Sequence, residues 1–520
     1  MSKFLEKMKQ PNIAVPFWTT IVVGILTHFP VMIHNFPNSD AMTSFYFDQN
    51  MVTSGRWFLT VACGISSFFD LKWINGLLSI LYFALAAVVL VRILEIKSKT
   101  VMGLIAATLV TFPAVTATYA YMYTADGYFL GFFFAVLAVY LTKKMNKTGW
   151  ALGAIALSLS LGTYQAYLAA TILLCLFDLI LMCAQNEKIK SILIRGVKYF
   201  AMGALGGILY YVILQICLKA QGKVLDTYQG INNMGKVSVS SMPGMIMGAI
   251  KDFFGFLRNG RIFLTNGFSY IAVVLLFGVS LLCLVTLFVH TKAIKKWYLS
   301  LLVVVFVAII PIGTNVIILI SSEAYYHLLM RMQWGLFPIF ALCLIDRMPK
   351  GETRKARPSF FIGAAGLLGG VLLIWQFILA DNIAYFNMNE RYEKTYAYCV
   401  RLADRIEQTE GYYTGIPVMM IGVLDEEKYP VTDITGDVTE RISGTTGDML
   451  IYKGEQYQAF MEHYLNFSLN VITDSETIID IYNSDAYREM DSFPAKDSIK
   501  IVDGIMYIKT EPPEGRDTRE

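Results

Sequence analysis

The feature that most constrains this chain is a succession of apolar runs, each close to the roughly 20 residues an α-helix needs to cross the hydrocarbon of a bilayer. They fall near 16–34, 73–93, 100–120, 122–141, 149–165, 166–184, 197–217, 269–290, 298–320, 329–346 and 359–380, about eleven in all. The chain is 55% hydrophobic and only 16% charged, against about a quarter charged in soluble domains. A bilayer is the natural solvent for such a sequence. The expected fold class is therefore mainly α, a polytopic helical membrane protein.

Orientation follows from lysine and arginine, which concentrate in cytoplasmic connections. Lys3, Lys7 and Lys9 precede the first run, and Arg92, Lys97 and Lys99 follow the second. Lys143, Lys144 and Lys147 come two connections later, and the alternation continues through Lys188–Lys198, Lys292–Lys296 and Arg347–Arg357. The opposite short connections carry hardly any: Arg56 and Lys72 in the first, none near Tyr121 to Asp126 and none near Tyr164. This places the N-terminus on the cytoplasmic side of the membrane, with Asp40, Asp48, Asp70, Asp126 and Glu323 outside. With an odd number of spans the C-terminal part is extracytoplasmic as well. The basic start leads into a first spanning helix, since no small-residue cleavage site of a signal peptide follows it.

Trp57 to Phe69 is apolar but too short to cross, and Met245 to Leu257 mixes Phe253, Phe254 and Phe256 with Lys251 and Asp252. Both read as helices lying in the membrane interface. From Asp381 the composition becomes that of a soluble domain. A helical stretch runs from Asn387 to Thr409, and strand-like runs follow at Ile416–Leu424, Asn470–Thr473 and Ser498–Thr510. Asp503-Gly504 between apolar runs reads as a hairpin turn. The expected organisation is a membrane domain over 1–380 and a small extracytoplasmic α/β domain over 381–520.

A net charge of +3 gives no footing for a nucleic-acid partner. The seven cysteines lie mostly in apolar stretches and form no CxxC or Cys/His cluster, so neither a disulfide framework nor a zinc site is indicated. Gly203xxxGly207 and Gly366xxxGly370 are small-residue patterns of the kind that pack helices. His28 and His34 have no third ligand beside them in the sequence.

Chemistry concentrates in the non-cytoplasmic loops. Asp40, just beyond the first span, is placed to take a proton from an attacking hydroxyl. Arg56, in Gly55-Arg56-Trp57, can grip phosphate oxygens bidentately. Each also has a structural reading: Asp40 solvates a loop, and Arg56 anchors a helix end. Asp126 closes the run Tyr119-Ala-Tyr121-Met-Tyr123-Thr-Ala-Asp126, whose rings suit sugar faces or an interfacial belt. Tyr164 and Gln165 sit at the tip of a tight helical hairpin, where an amide binds sugar hydroxyls or closes the turn. Arg331 is embedded at the start of a span, where charge is costly and usually functional. It either contacts a phosphate or pairs with Glu323.

The basic N-terminal tail, the loop with Asp40 and Gly55-Arg56-Trp57, the Gly162-Thr-Tyr164-Gln165 hairpin, and Asp381-Asn382-Ile-Ala-Tyr385 leading to Asn389 and Tyr392 resemble the bacterial Gtr type II glucosyltransferase family. That family belongs to the GT-C superfamily of membrane glycosyltransferases, and the similarity runs over roughly residues 15 to 410. The resemblance implies transfer of a hexose, typically glucose, from a polyprenyl-phosphate donor to a cell-envelope glycan on the outer face of the membrane. It implies that Asp40 is the catalytic acid residue of the first outer loop. It makes Arg56, Asp126, Tyr164, Gln165 and Arg331 candidates for substrate binding. Asp40 is not part of an adjacent acidic pair, so the resemblance leaves a divalent metal undecided. The competing class is a transporter or flippase of lipid-linked glycans, which should carry ionisable or helix-breaking residues near mid-membrane. A third is a scaffold or receptor using the outer domain alone. Reporter fusions after Thr409 are expected to report a non-cytoplasmic location; a cytoplasmic signal there would reverse the orientation of every loop named above.

Overall fold

The computed structural model describes residues 6, 9–43, 45–145, 147–233, 240–259, 266–321, 325–348, 357–430, 442–446 and 449–513. The helices run in the order α1 (Pro11–Ile33), a short α2 (Leu59–Gly64), α3 (Lys72–Ile93), α4 (Lys99–Thr111), α5 (Pro113–Tyr119), α6 (Met122–Lys144) and α7 (Gly149–Thr163). They continue with α8 (Leu168–Ala184), α9 (Ile189–Gln221), α10 (Met242–Asn259), α11 (Gly267–His290), α12 (Trp297–Thr314), α13 (Val316–Ile320), α14 (Leu336–Asp346) and α15 (Arg357–Glu407). Every apolar run expected to span is helical. Among the described residues nine helices are long and apolar enough to cross a bilayer, ten if α4 and α5, bent by 41°, form one broken span. The fifth expected run, α7, has 15 residues. The protein is polytopic and mainly α. The two segments expected to lie in the interface correspond to α2 and α10.

The break between α4 and α5 has a local cause. A proline ring disfavours helical backbone in the residue before it, and Phe112 is extended at φ −65°, ψ 128° ahead of Pro113. Beside the break, His28 of α1 lies 2.7 Å from the carbonyl of Val110 through Nε2.

The chain divides into two compact units. The first comprises Met1–Ile33, Tyr46–Asn382 and Arg441–Ser443; the second comprises His34–Phe45, Ile383–Glu440 and Gly444–Glu520. The last span and the helical stretch expected from Asn387 are one helix, α15, of 51 residues. In the second unit, β1 (Pro417–Met419), β2 (Asn470–Val471), β3 (Ile499–Val502) and β4 (Ile505–Ile508) form a sheet in the order β2-β1-β4-β3. β1 pairs in parallel with β2 and β4. β3 and β4 make the expected hairpin, turning on Asp503 and Gly504, which both have positive φ. Helices α16 (Gly454–Leu465), α17 (Ser475–Tyr482) and α18 (Asp485–Arg488) complete this α/β unit.

The loop after α1, expected to belong with the membrane helices, groups with the second unit instead. Met42 is fully buried in a core with Tyr398, Leu402, Phe460 and Met506. Arg391 Nη2 donates to the Pro37 carbonyl at 3.1 Å, and Phe36 stacks on Tyr385. An apolar anchor, a buried hydrogen bond and a ring stack together outweigh the sequence proximity of this loop to the first span.

Close helix packing uses only part of the glycine pattern. A Cβ on Gly366 would lie 2.7 Å from Ile345 and Val279 atoms, and one on Gly370 would lie 3.0 Å from Leu342. Gly203 and Gly207 have nothing within 4 Å, so the expected packing role for that pair is not realised among the described residues; Gly206 packs on Leu157 and the Ala154 carbonyl instead. Gly366→Val is expected to lower the thermal midpoint in detergent, an overpacking cost of about 1–3 kcal/mol. Gly203→Ala should hold or raise it, since alanine gains about 1 kcal/mol of helix propensity over glycine.

Candidate functional site

The centre of the site is a short turn at Val52–Ser54 that ends on Gly55 in left-handed backbone, φ 74°. Gln165 Nε2 donates to the Ser54 carbonyl at 3.0 Å and to the Tyr210 hydroxyl at 3.0 Å. The Tyr210 hydroxyl donates to the Gly55 carbonyl at 3.1 Å. A Cβ at Gly55 would run into the Gln165 amide and the Tyr210 hydroxyl, so both φ and space demand glycine. The turn delivers Arg56 into a set of tyrosines. Its Nη1 donates to the Tyr128 hydroxyl at 3.0 Å, and its guanidinium lies 5.1 Å from the Tyr164 ring centre and 6.0 Å from that of Tyr128. Attraction between the cation and the ring faces adds to these contacts. Trp57 packs on Gly162, where no side chain would fit. Arg56, Tyr164 and Gln165, three of the residues singled out from the sequence, are thus brought together.

Arg331 lies in a second part of the same unit. It is 6% exposed and sits at φ −107°, ψ 24°, inside the Leu328–Gly335 segment. Its two terminal nitrogens donate to the two carboxylate oxygens of Asp252 at 2.7 and 2.8 Å. Its guanidinium lies 3.9 Å from the Tyr326 ring centre and 4.4 Å from that of Phe256. The expected partner Glu323 lies outside the described residues; the acid that pairs with Arg331 is Asp252 of α10. That helix also stacks Phe253 on Trp334, with ring centres 4.9 Å apart. The two parts meet where the Gln165–Tyr167 turn packs on the Leu328–Gly335 segment.

Asp126, near the start of α6, is fully buried, and neither carboxylate oxygen meets a hydrogen-bond donor in good geometry among the described residues. Close packing of Gly127 on Cys63 holds this part of α6 against α2. Burying an uncompensated carboxylate is expensive, which makes Asp126 a marked feature of the helical unit. Asp40 is exposed, in a turn of the second unit beside Asn38, whose side chain accepts from the Ala41 N–H at 2.8 Å. Asp48 accepts from the Asn50 N–H at 3.0 Å within its own loop.

Sequence reasoning missed Tyr128 and Tyr210, and it did not pair Arg331 with Asp252, which it read only as part of an interfacial helix. It also placed Asp381 at the start of a soluble domain, whereas that carboxylate is fully buried within α15 and accepts from the Thr116 hydroxyl at 2.7 Å. Among the described residues no group of three His, Cys, Asp or Glu side chains is placed to hold a metal ion.

The sequence profile of glucosyl transferase GtrII matches residues 29–338, more than half of the chain. The chain belongs to the GtrII glucosyltransferase family. The matched segment is shorter at both ends than the resemblance read from the motifs. It contains Asp40, Arg56, Asp126, Tyr164, Gln165 and Arg331, while Asp381, the β-sheet and helices α16 to α18 lie beyond it. No curated protein and no solved structure matches this GtrII chain.

The Asp252–Arg331 pair yields a stability test. Arg331 is buried and Asp252 half-buried, so removing the carboxylate leaves the guanidinium uncompensated, at a cost below the roughly 3 kcal/mol of a fully buried pair. Asp252→Asn and Arg331→Gln should each lower the thermal midpoint, and the double variant should lie above the sum of the two losses because the pair is coupled. Additive losses would show that the ion pair does not hold α10.

Proposed function

We propose that this glucosyltransferase moves glucose from a polyprenyl-phosphate donor to a cell-envelope glycan at the outer face of the cytoplasmic membrane. The observation that carries the reading is the Arg56 cage within the GtrII-matched segment: a guanidinium presented by a glycine turn and bounded by Tyr128 and Tyr164. A guanidinium held in place matches the planar oxygens of a phosphate leaving group.

In this reading an acceptor hydroxyl attacks the anomeric carbon and forms the new glycosidic bond. The old bond to the phosphate oxygen breaks, and the phosphate leaves with the electron pair. Asp40 takes the proton of the attacking hydroxyl. Arg56 stabilises the charge that grows on the departing phosphate. Tyr164 and Gln165 shape the sugar side of the site, and Asp126 supplies a carboxylate within the helical unit. Arg331, with its terminal nitrogens engaged by Asp252, acts by holding Tyr326 and α10 in position. The exposure of Asp40 suits a base that must meet an incoming acceptor.

One observation favours a transport reading. The α4–α5 span is broken, and His28 and Asp381 are buried beside or within the same helical unit, the kind of interruption found in transporters. The two readings separate in one assay with purified protein. Transfer from polyprenyl-phosphate-glucose to envelope glycan supports the enzyme; translocation of the lipid across vesicles without transfer supports the transporter.

Asp40→Asn keeps size and removes the base, so transfer should fall by about a hundredfold to ten-thousandfold with expression and thermal midpoint unchanged. Asp48→Asn should be milder. Arg56→Lys should also impair transfer, because an ammonium does not reproduce the guanidinium fork. Near-normal transfer by Asp40→Asn would remove it as the base and pass the role to Asp126.

A further inference from the structure

At the basic ends of the helices, in the connections read as cytoplasmic, lies a cavity of about 420 Å³ lined by Glu95, Lys97, Gln185, Leu287, Asp346, Arg347 and Met348. Its acids are already committed. Asp346 accepts from the backbone N–H groups of Lys97 and Ser98 at 2.8 and 2.9 Å. Glu95 is paired with Lys144 at 2.6 Å and Lys143 at 3.5 Å. Burial alone would push the Glu95 carboxyl up, but the two lysines outweigh it and hold the group below its ordinary range, so at neutral pH it stays charged and compensated. Lys143 also pairs with Asp178 at 2.6 Å, which in turn accepts from Arg195 at 3.1 Å.

The cations lining the cavity are less committed. Among the described residues Lys97 has no carboxylate within ion-pair distance, and Arg347 Nε is buried without a hydrogen-bond partner while its Nη1 contacts the Cys343 sulfur at 3.1 Å. An unpaired buried guanidinium N–H is costly unless something accepts from it. Lys97, Lys143, Lys144, Arg195 and Arg347 outnumber the carboxylates of Glu95, Asp178 and Asp346, so the local charge favours an anion. The apolar wall, Leu287 and Met348, includes part of α11, of whose apolar stretch only 28% is buried within the protein. A ligand with a charged head and an apolar tail fits these walls.

We infer that this cavity binds the phosphate group of a membrane lipid, with Lys97 and Arg347 as its ligands. A phosphate at this position completes the hydrogen bonding of Arg347 Nε and sets the lipid tail along α11. The site is separate from Arg56 and Arg331 and does not rest on the proposed reaction.

The test uses the full chain purified in detergent and analysed by native mass spectrometry after exposure to phosphatidylglycerol, to diacylglycerol of the same acyl chains, or to inorganic phosphate. Wild type should retain phosphatidylglycerol and not diacylglycerol. The Lys97→Gln/Arg347→Gln variant should retain about tenfold less, the scale of losing charge-assisted bonds to phosphate. Arg347→Lys keeps the charge but loses the Nε–H, so it should retain less lipid than wild type and more than the double variant; an unchanged thermal midpoint of the double variant shows that its loss is not misfolding. Equal retention by wild type and the double variant overturns the site. Equal retention of diacylglycerol also overturns it, since the phosphate would not be what is recognised. Stabilisation by inorganic phosphate with none from phosphatidylglycerol overturns the lipid and assigns the cavity to a free anion.

Discussion

The helical unit's candidate site depends on one side-chain amide. Gln165 Nε2 spends its two hydrogens on the Ser54 carbonyl and the Tyr210 hydroxyl, and Tyr210 passes its own hydrogen on to the Gly55 carbonyl. Three segments distant in sequence are thereby tied through a glutamine that is 9% exposed. In such surroundings a polar group that loses its partner has no water to turn to. The turn at Gly55, the direction of Arg56 and the seating of Trp57 on Gly162 all follow from that amide being held at both hydrogens.

The membrane architecture was legible because its cause is crude. Runs of about 20 apolar residues leave the backbone no alternative to helix, so α1, α3, α6, α8, α9, α11, α12 and α14 appear near where hydropathy puts them. The β3–β4 hairpin was legible for a local reason, the tolerance of Asp-Gly for positive φ. Hydropathy says nothing, however, about which loop packs on which unit. The segment 34–45 looked like a connection between membrane elements, and the burial of Met42, the Arg391 bond to Pro37 and the Phe36–Tyr385 stack assign it to the α/β unit. Nor does composition show that a helix continues when its character changes: α15 is apolar in its first part and polar in its second, and its backbone is uninterrupted.

The candidate site was legible by residue type and illegible by partner. Arg56, Tyr164 and Gln165 stood out because polar groups in apolar surroundings are rare, and they do come together. Their companions did not stand out. Tyr128 and Tyr210 lie inside spans, where a tyrosine reads as one more aromatic among many. Asp252 read as one charge among the phenylalanines of an interfacial helix, yet it is the carboxylate that takes both prongs of Arg331. Long-range pairing of this kind leaves no periodic trace in a single sequence.

The broken span carries a consequence of its own. Where Phe112 leaves the helix, the regular ladder of N–H groups that would reach back to the preceding carbonyls is interrupted, and a carbonyl so stranded can only accept. The imidazole 2.7 Å from the Val110 oxygen must therefore bring a hydrogen on Nε2, which fixes the identity of the proton-bearing ring atom without reference to any titration. His28 is, in effect, a backbone amide lent by a different helix. A proline in one segment and a donor in another are thereby coupled: a chain that straightened the first would give the Val110 carbonyl a backbone N–H and leave the imidazole N–H to seek another acceptor.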